Sequence, residues 1–230
     1  VPRLKLTHLY RLAPVATVAA GLSGLAMGPF WGLLPVYAAE IGLRGNGVPL
    51  FMLTAIAGGA LLQWPLGRIS DGHDRRIGLL AVSVAAAFLA LLAAAPPLQQ
   101  QMHMMFLLVF CYGGLVFTLY PFAVAHMLDY LASEDLLSGC SSLLLVHGVG
   151  AAIGPAIAGA LMSRFGAPAL PLYFAAVLTC LAVFTGMRLL SHARLRTHPA
   201  PFRAMLRTTP SALELMPETE TPLHPEKETH

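Results

Sequence analysis

The chain has 230 residues, 57% of them hydrophobic and only 11% charged, with a formal net charge of +3 and a mean hydropathy of +0.69. A soluble domain of this length needs a polar surface that so few charged residues cannot make, which excludes a water-soluble enzyme or binding module. The small positive excess does not point to nucleic acid as a partner.

The chain opens with VPRLKLTHLYRL, a basic amphipathic lead-in over residues 1–12 that reads as a loop entering a membrane span. It begins with Val rather than Met, so the chain is expected to be a piece of something longer. Six apolar runs follow, at Ala13–Ala39, Val48–Leu66, Ile77–Ala95, Met104–Met127, Leu136–Leu161 and Pro171–Leu190. About 20 apolar residues cross a bilayer as a helix, because lipid offers no partner to an unpaired backbone group. No run shows the alternating polarity of a membrane strand. The fold class expected is an all-α membrane protein, with six transmembrane helices forming one bundle over residues 13–190. The first run is too long for a signal peptide, and more spans follow it. It and the fifth run exceed the hydrocarbon thickness, so tilt or a kink is expected. Cys111, Cys140 and Cys180 lie inside apolar runs without a CxxC neighbour and read as small buried hydrophobes. No cofactor or metal is called for. Residues 191–230 turn rich in Pro, Thr and Glu and read as a disordered tail.

Basic residues fix the orientation, because Lys and Arg collect on the cytoplasmic side. The lead-in, the second loop and the tail hold 12 of the 14, leaving only Arg44 and Arg164 for the other side. An even number of spans then places both termini in the cytoplasm, where the excess meets anionic lipid.

Polar groups at membrane depth are costly and mark solute pathways or contacts between helices. Gln63, Tyr112, Tyr120, His126, Ser141, Ser142 and His147 are such residues, with Trp31, Tyr37 and Trp64 as aromatic walls or interfacial anchors. His147 stands near the middle of the fifth span and can line a substrate path or exchange a proton; lining is the preferred reading. His126 and Asp129, three apart, share a helical face at the end of the fourth span. Gly24, Gly28 and Gly32 recur every four residues, which lets helices approach closely. Gly150 and Gly154 do the same, and Pro155 removes a backbone hydrogen bond and permits a bend.

Between the second and third runs stands GRISDGHDRR, residues 67–76. Gly67, Ser70, Asp71, Arg75 and Arg76 follow the pattern G-x-L-S-D-x-x-x-R-R, which resembles the signature loop of the major facilitator superfamily. FWGLLPVYAAEIGL, LYPFAVAHMLDYL and SSLLLVHGVGAAIGPAIAGALM are similar to the end of helix 7, helix 10 and helix 11 of a bacterial branch of that superfamily. The resemblance runs from about residue 5 to 195 and implies the C-terminal six-helix half of a twelve-helix transporter in a bacterial inner membrane. Two positions depart from the pattern: Gly72 stands in place of the usual basic residue, and Asp74 in place of the usual glycine. The first weakens one expected salt bridge, which Asp74 beside Arg75 is expected to replace in part. By the same resemblance Asp129 pairs with Arg75 or Arg76 in gating, and Gly154–Pro155 matches a glycine–proline motif of some antiporters. Without the family, Asp71 can accept hydrogen bonds at a neighbouring helix N-terminus, and the arginines can fork onto a carboxylate. Such contacts hold one of two states; a hydrophilic turn with topology-setting arginines is the plainer alternative.

The reading that follows is a secondary transporter of a small solute, working by alternating access and completed by an N-terminal six-helix half in the lipid bilayer. A proton or another ion is the natural coupling partner, since the chain has no GxxxxGK[ST] loop to bind a nucleotide. The alternatives are a six-helix scaffold or receptor and a self-associating six-helix carrier. An intramembrane enzyme built on His126, Asp129 or His147 has neither HExxH nor GxSxG to support it. The basic asymmetry predicts that a reporter fused after Ala200 reads cytoplasmic and one within residues 96–101 reads external; reversed readings would overturn this topology.

Overall fold

The computed structural model describes residues 6–71, 74–131 and 135–195, apart from the side chains of residues 69–71 and 192–195. Its elements are α1 (Leu6–Leu12), α2 (Pro14–Glu40), α3 (Gly47–Asp71), α4 (Arg75–Ala94), α5 (Pro96–Gln99), α6 (Met102–Leu128), α7 (Leu136–Phe165) and α8 (Ala169–Leu195). Six of these are long and apolar enough to cross a membrane. Among the described residues there is no strand. The protein is an all-α integral membrane protein of six spanning helices.

Local chemistry sets the helix ends. Proline at the first position of α2 lacks only an N–H that would have had no partner there. That helix stops in a Schellman turn, where Leu43 and Gly42 donate to the carbonyls of Ala38 and Ala39. The turn needs a left-handed residue, and Gly42 supplies it with φ +101°. Gly166, at φ +76°, ends α7 in a comparable way. Part of the lead-in is itself helical: α1 buries Leu9 and passes into α2 with a break only at Ala13. Helix α3 continues past Leu66 through Gly67 and Arg68 to Asp71.

Two helix pairs form the frame, α2 with α7 and α3 with α6, while α4 packs on α6. Both pairs close on glycine. A Cβ on Gly24 would collide with the His147 carbonyl, one on Gly28 with the Ala151 carbonyl, and one on Gly150 with the Gly21 carbonyl. Across the other seam, Gly58 faces the Phe110 carbonyl and Gly113 the Ala55 carbonyl. Backbones in direct contact gain dispersion energy that longer side chains would prevent, and in lipid, where burying apolar surface gains nothing, that term decides packing.

The α2–α7 seam also resolves its prolines. Proline has no N–H, so Pro29 leaves the Leu25 carbonyl without its helical donor and Pro155 does the same to Ala151. Tyr173 of α8 donates to the Leu25 carbonyl at 3.0 Å. The contacts are reciprocal: a Cβ at Gly28 would stand 2.9 Å from Pro155 Cδ, and one at Gly154 2.8 Å from Pro29 Cδ. Each glycine makes room for the other helix's proline, and α2 and α7 both run unbroken through these steps.

Large apolar side chains face outward along the bundle, among them Leu61, Phe88, Leu145 and Leu190. Water would penalise such a surface heavily; lipid does not. Cys180 faces outward too, contrary to its reading as a buried hydrophobe, while Cys111 and Cys140 are half-buried. The seam yields a test by thermal unfolding of the purified chain in detergent. Gly24→Ala should destabilise by about 1–3 kcal/mol, because neither backbone can yield. Gly32→Ala, with nothing within 4 Å of its Cβ, should leave the midpoint unchanged or raise it slightly, since alanine is the better helix former.

Candidate functional site

Two polar clusters stand out from the apolar bundle. The first lies at membrane depth on the α2–α7 seam. His147 Nδ1 is 3.0 Å from Ser23 Oγ and 3.2 Å from the Ala20 carbonyl. Ser23 itself donates to that carbonyl at 2.9 Å. A carbonyl only accepts and the serine proton is already committed, so in the neutral ring Nδ1 carries the proton. Nε2 is then the free acceptor. The imidazole also packs on Tyr120 of α6, with ring centroids 4.6 Å apart. Further along α2, Phe30 and Trp31 meet Phe117 of α6 edge-on at 5.5 and 5.8 Å.

The second cluster lies where α4 begins and α6 ends. Asp74 caps α4 by accepting the backbone N–H of Arg76 at 3.0 Å, and its carboxylate also takes the fork of the Arg76 guanidinium, Nη2 to Oδ2 at 2.9 Å. Arg75 turns the other way and pairs with Asp129, Nε to Oδ2 at 3.1 Å. His126 is buried, with its ring edge-on to Tyr130 at 5.1 Å. A nearby cleft of about 180 Å³ takes in Gln63, Gly67 and Arg75.

The remaining residues singled out in the sequence scatter. Tyr112 is turned into the core, stacked between Phe30 and Phe174, and its hydroxyl has no partner among the described residues. Ser141 is exposed and donates to the Leu137 carbonyl of its own helix, and Ser142 beside it is half-buried. Gly150, Gly154 and Pro155 lie in the α2–α7 seam. Tyr37 donates to the Ala93 carbonyl at 3.1 Å, and exposed Trp64 carries the Arg68 guanidinium 4.5 Å above its ring. The side chains of Ser70 and Asp71 lie outside the described residues, so the expected docking of Asp71 does too. Ser23 and Phe117 were not legible as site residues. Ser23 had one signal, a lone hydroxyl set within a glycine stripe.

Comparison with known proteins agrees with this architecture. The family model described as Major Facilitator Superfamily matches residues 16–221. The chain belongs to this superfamily. It is similar to proteins named "Uncharacterized MFS-type transporter YcaD" from Salmonella paratyphi B, Salmonella newport and Salmonella heidelberg. Each is 31% identical over 144 residues, which is 63% of this chain and 36% of the relative. The match thus spans little more than a third of their length. No solved structure matches the chain.

Within the superfamily pattern, Asp74 is the departure whose role the geometry explains. It serves Arg76 as both helix cap and counter-charge. The side-chain hydrogen bond from Arg76 holds the Asp74 carboxyl below its usual range, against an opposing contribution from partial burial. A folded-state pKa below the unfolded one means the contact stabilises above the usual carboxylate pKa of about 3.9 and is lost as pH falls through the lower folded value. Asp74→Asn should therefore lower the unfolding midpoint at neutral pH, and its gap to the unmodified chain should close below about pH 4. A gap that persists undiminished to pH 2 would deny the carboxylate this role.

Proposed function

We propose that this chain is the C-terminal six-helix half of a secondary transporter, which carries a small solute across a bacterial inner membrane by alternating access. Both termini lie in the cytoplasm, and a six-helix N-terminal half completes the solute path. Superfamily membership and the named MFS-type relatives support transport as the activity. A proton or ion gradient drives the cycle, or the solute's own gradient does.

The observation that carries the mechanism is the Arg75–Asp129 pair. It ties the signature loop to α6, on a different helix, at the end of the bundle where most basic residues gather. Its side chains keep 30% and 47% of their exposure, so solvent screens the attraction. Pairs of that kind contribute about 0.2–1 kcal/mol, a bias of roughly fivefold at most. That is the right scale for a latch: it favours the closed state but breaks in every cycle. Asp71 completes the latch by docking on a helix N-terminus of the other half. Solute passes the α2–α7 seam, where Nε2 of His147 accepts a hydrogen bond from it and the rings of Tyr120, Trp31 and Phe117 form the wall.

The test needs no known substrate. In the intact transporter, with Cys111, Cys140 and Cys180 replaced, a single cysteine at Gln63 reports access from the basic end. Asp129→Asn should raise its labelling rate by about two- to fivefold. The exchange Arg75→Asp with Asp129→Arg should restore the original rate. Labelling unchanged by Asp129→Asn would reduce the loop to a charged turn.

A further inference from the structure

A further cleft shares Arg76, His126 and Tyr130 with the second cluster but takes in neither Arg75 nor Asp129 of the latch, nor His147. This cleft, at the basic end and of about 180 Å³, is lined by Arg11 of α1, Arg76 of α4, His126 of α6, Tyr130 just beyond it and Arg188 of α8, with the first turn of α2 as an apolar wall. Three guanidinium-bearing residues converge there, and no carboxylate is among the lining residues. Asp74 cancels the charge of Arg76. Arg11 and Arg188 have no acidic partner among the described residues; Arg188 rests 5.5 Å from the Phe184 ring centroid. His126 is only 5% exposed, yet its imidazole has no hydrogen-bond partner among the described residues and stands at the cleft wall.

Like charges drawn round one space repel. A bound anion relieves that repulsion, and the imidazole of His126, at the cleft wall, can donate to it. The donors arrive from three separate helices rather than from one plane, which suits a tetrahedral oxyanion better than a flat carboxylate. Guanidinium forks match the edges of such an anion. We propose that this cleft binds a phosphate-bearing anion, gripped by Arg11 and Arg188, with the imidazole of His126 and the Tyr130 hydroxyl as further donors. The phosphate belongs either to the headgroup of an anionic lipid in the surrounding leaflet or to a small phosphate in solution. The site does not depend on the transport reading, since it asks nothing of a second half or a solute path.

Two arms separate the sources. In the first, the whole chain is placed in phosphatidylcholine nanodiscs with a minor fraction of phosphatidylglycerol, and the lipid retained after extraction is counted by native mass spectrometry. In the second, inorganic phosphate is titrated against the chain in neutral detergent and thermal stabilisation is read. The variant is Arg11→Gln with Arg188→Gln, both at least partly exposed and in no ion pair among the described residues. The control is Arg44→Gln with Arg164→Gln, which removes the same charge outside the cleft. The unmodified chain and the control should hold phosphatidylglycerol about tenfold or more over the cleft variant. If phosphate stabilises the unmodified chain and displaces the lipid, the small anion is the ligand; if it does neither, the lipid is. Equal behaviour of all three proteins in both arms overturns the proposal. So does retention that appears only after residues 196–230 are removed.

Discussion

The bundle depends on one reciprocal contact, between Gly28–Pro29 on α2 and Gly154–Pro155 on α7. A proline in a membrane helix is a liability, since it strips a donor from the carbonyl one turn earlier and water is not at hand to replace it. Here each proline ring fits over the other helix's glycine, and the carbonyls that lose their donors lie on the shared seam. One of them, Leu25, recovers a donor from Tyr173, which brings α8 into the same assembly. The backbone approach that satisfies the prolines also presses His147 against Ser23 and Ala20. Packing and the candidate solute site are therefore one piece of geometry: moving α2 from α7 by the width of a methyl group would undo both.

The sequence showed the number and order of the helices because the apolar runs are long and their interruptions carry identifiable punctuation. Gly42, Asp74 and Gly166 each stand where a helix ends or begins, and each has a conformational or capping reason to be there. The inward and outward faces were harder to read. In a soluble protein polarity separates them, but the core and the lipid are equally apolar, so periodicity leaves little trace. Tyr112 illustrates the difficulty, a polar residue that read as lining a path and is instead folded into the core between two phenylalanines. Partners distant in sequence were invisible for a plainer reason. Ser23 and His147 are 124 residues apart, and nothing in either segment names the other. Gly28–Pro29 is masked by the packing stripe in which it stands, whereas the same dipeptide in the fifth span stands out at the end of a shorter one. The basic loop was legible as a family signature through its resemblance, but the division of labour within it was not. Only geometry shows that Arg76 serves its own helix while Arg75 reaches across to another.

These contacts differ in strength in a way that bears on motion. The seams α2–α7 and α3–α6 are backbone on backbone, and no rotamer change can loosen them. The Arg76–Asp74 fork is local to α4 and moves with it. The tie from Arg75 to Asp129 joins different helices through side chains that solvent already reaches. The tie at the basic end is therefore the weakest of these contacts, and its loss would leave both seams intact.

The glycines sharpen that argument. Gly24, Gly28, Gly58, Gly113, Gly150 and Gly154 are all required by neighbours within the chain, since a side chain on any of them would strike a backbone carbonyl. Gly67 is different. Like Gly32 and Gly148 it has nothing among the described residues within 4 Å of where its Cβ would stand, but it alone of the three lies in the signature loop. The fold of this chain places no demand for glycine there, and a glycine inside a helix costs about 0.5–1 kcal/mol relative to alanine. In a loop set between two spans, such a residue fits a close approach from outside the bundle, which the proposed function would supply. On the alternating-access reading that approach is the other half closing on the loop, and Gly67 marks where its backbone arrives.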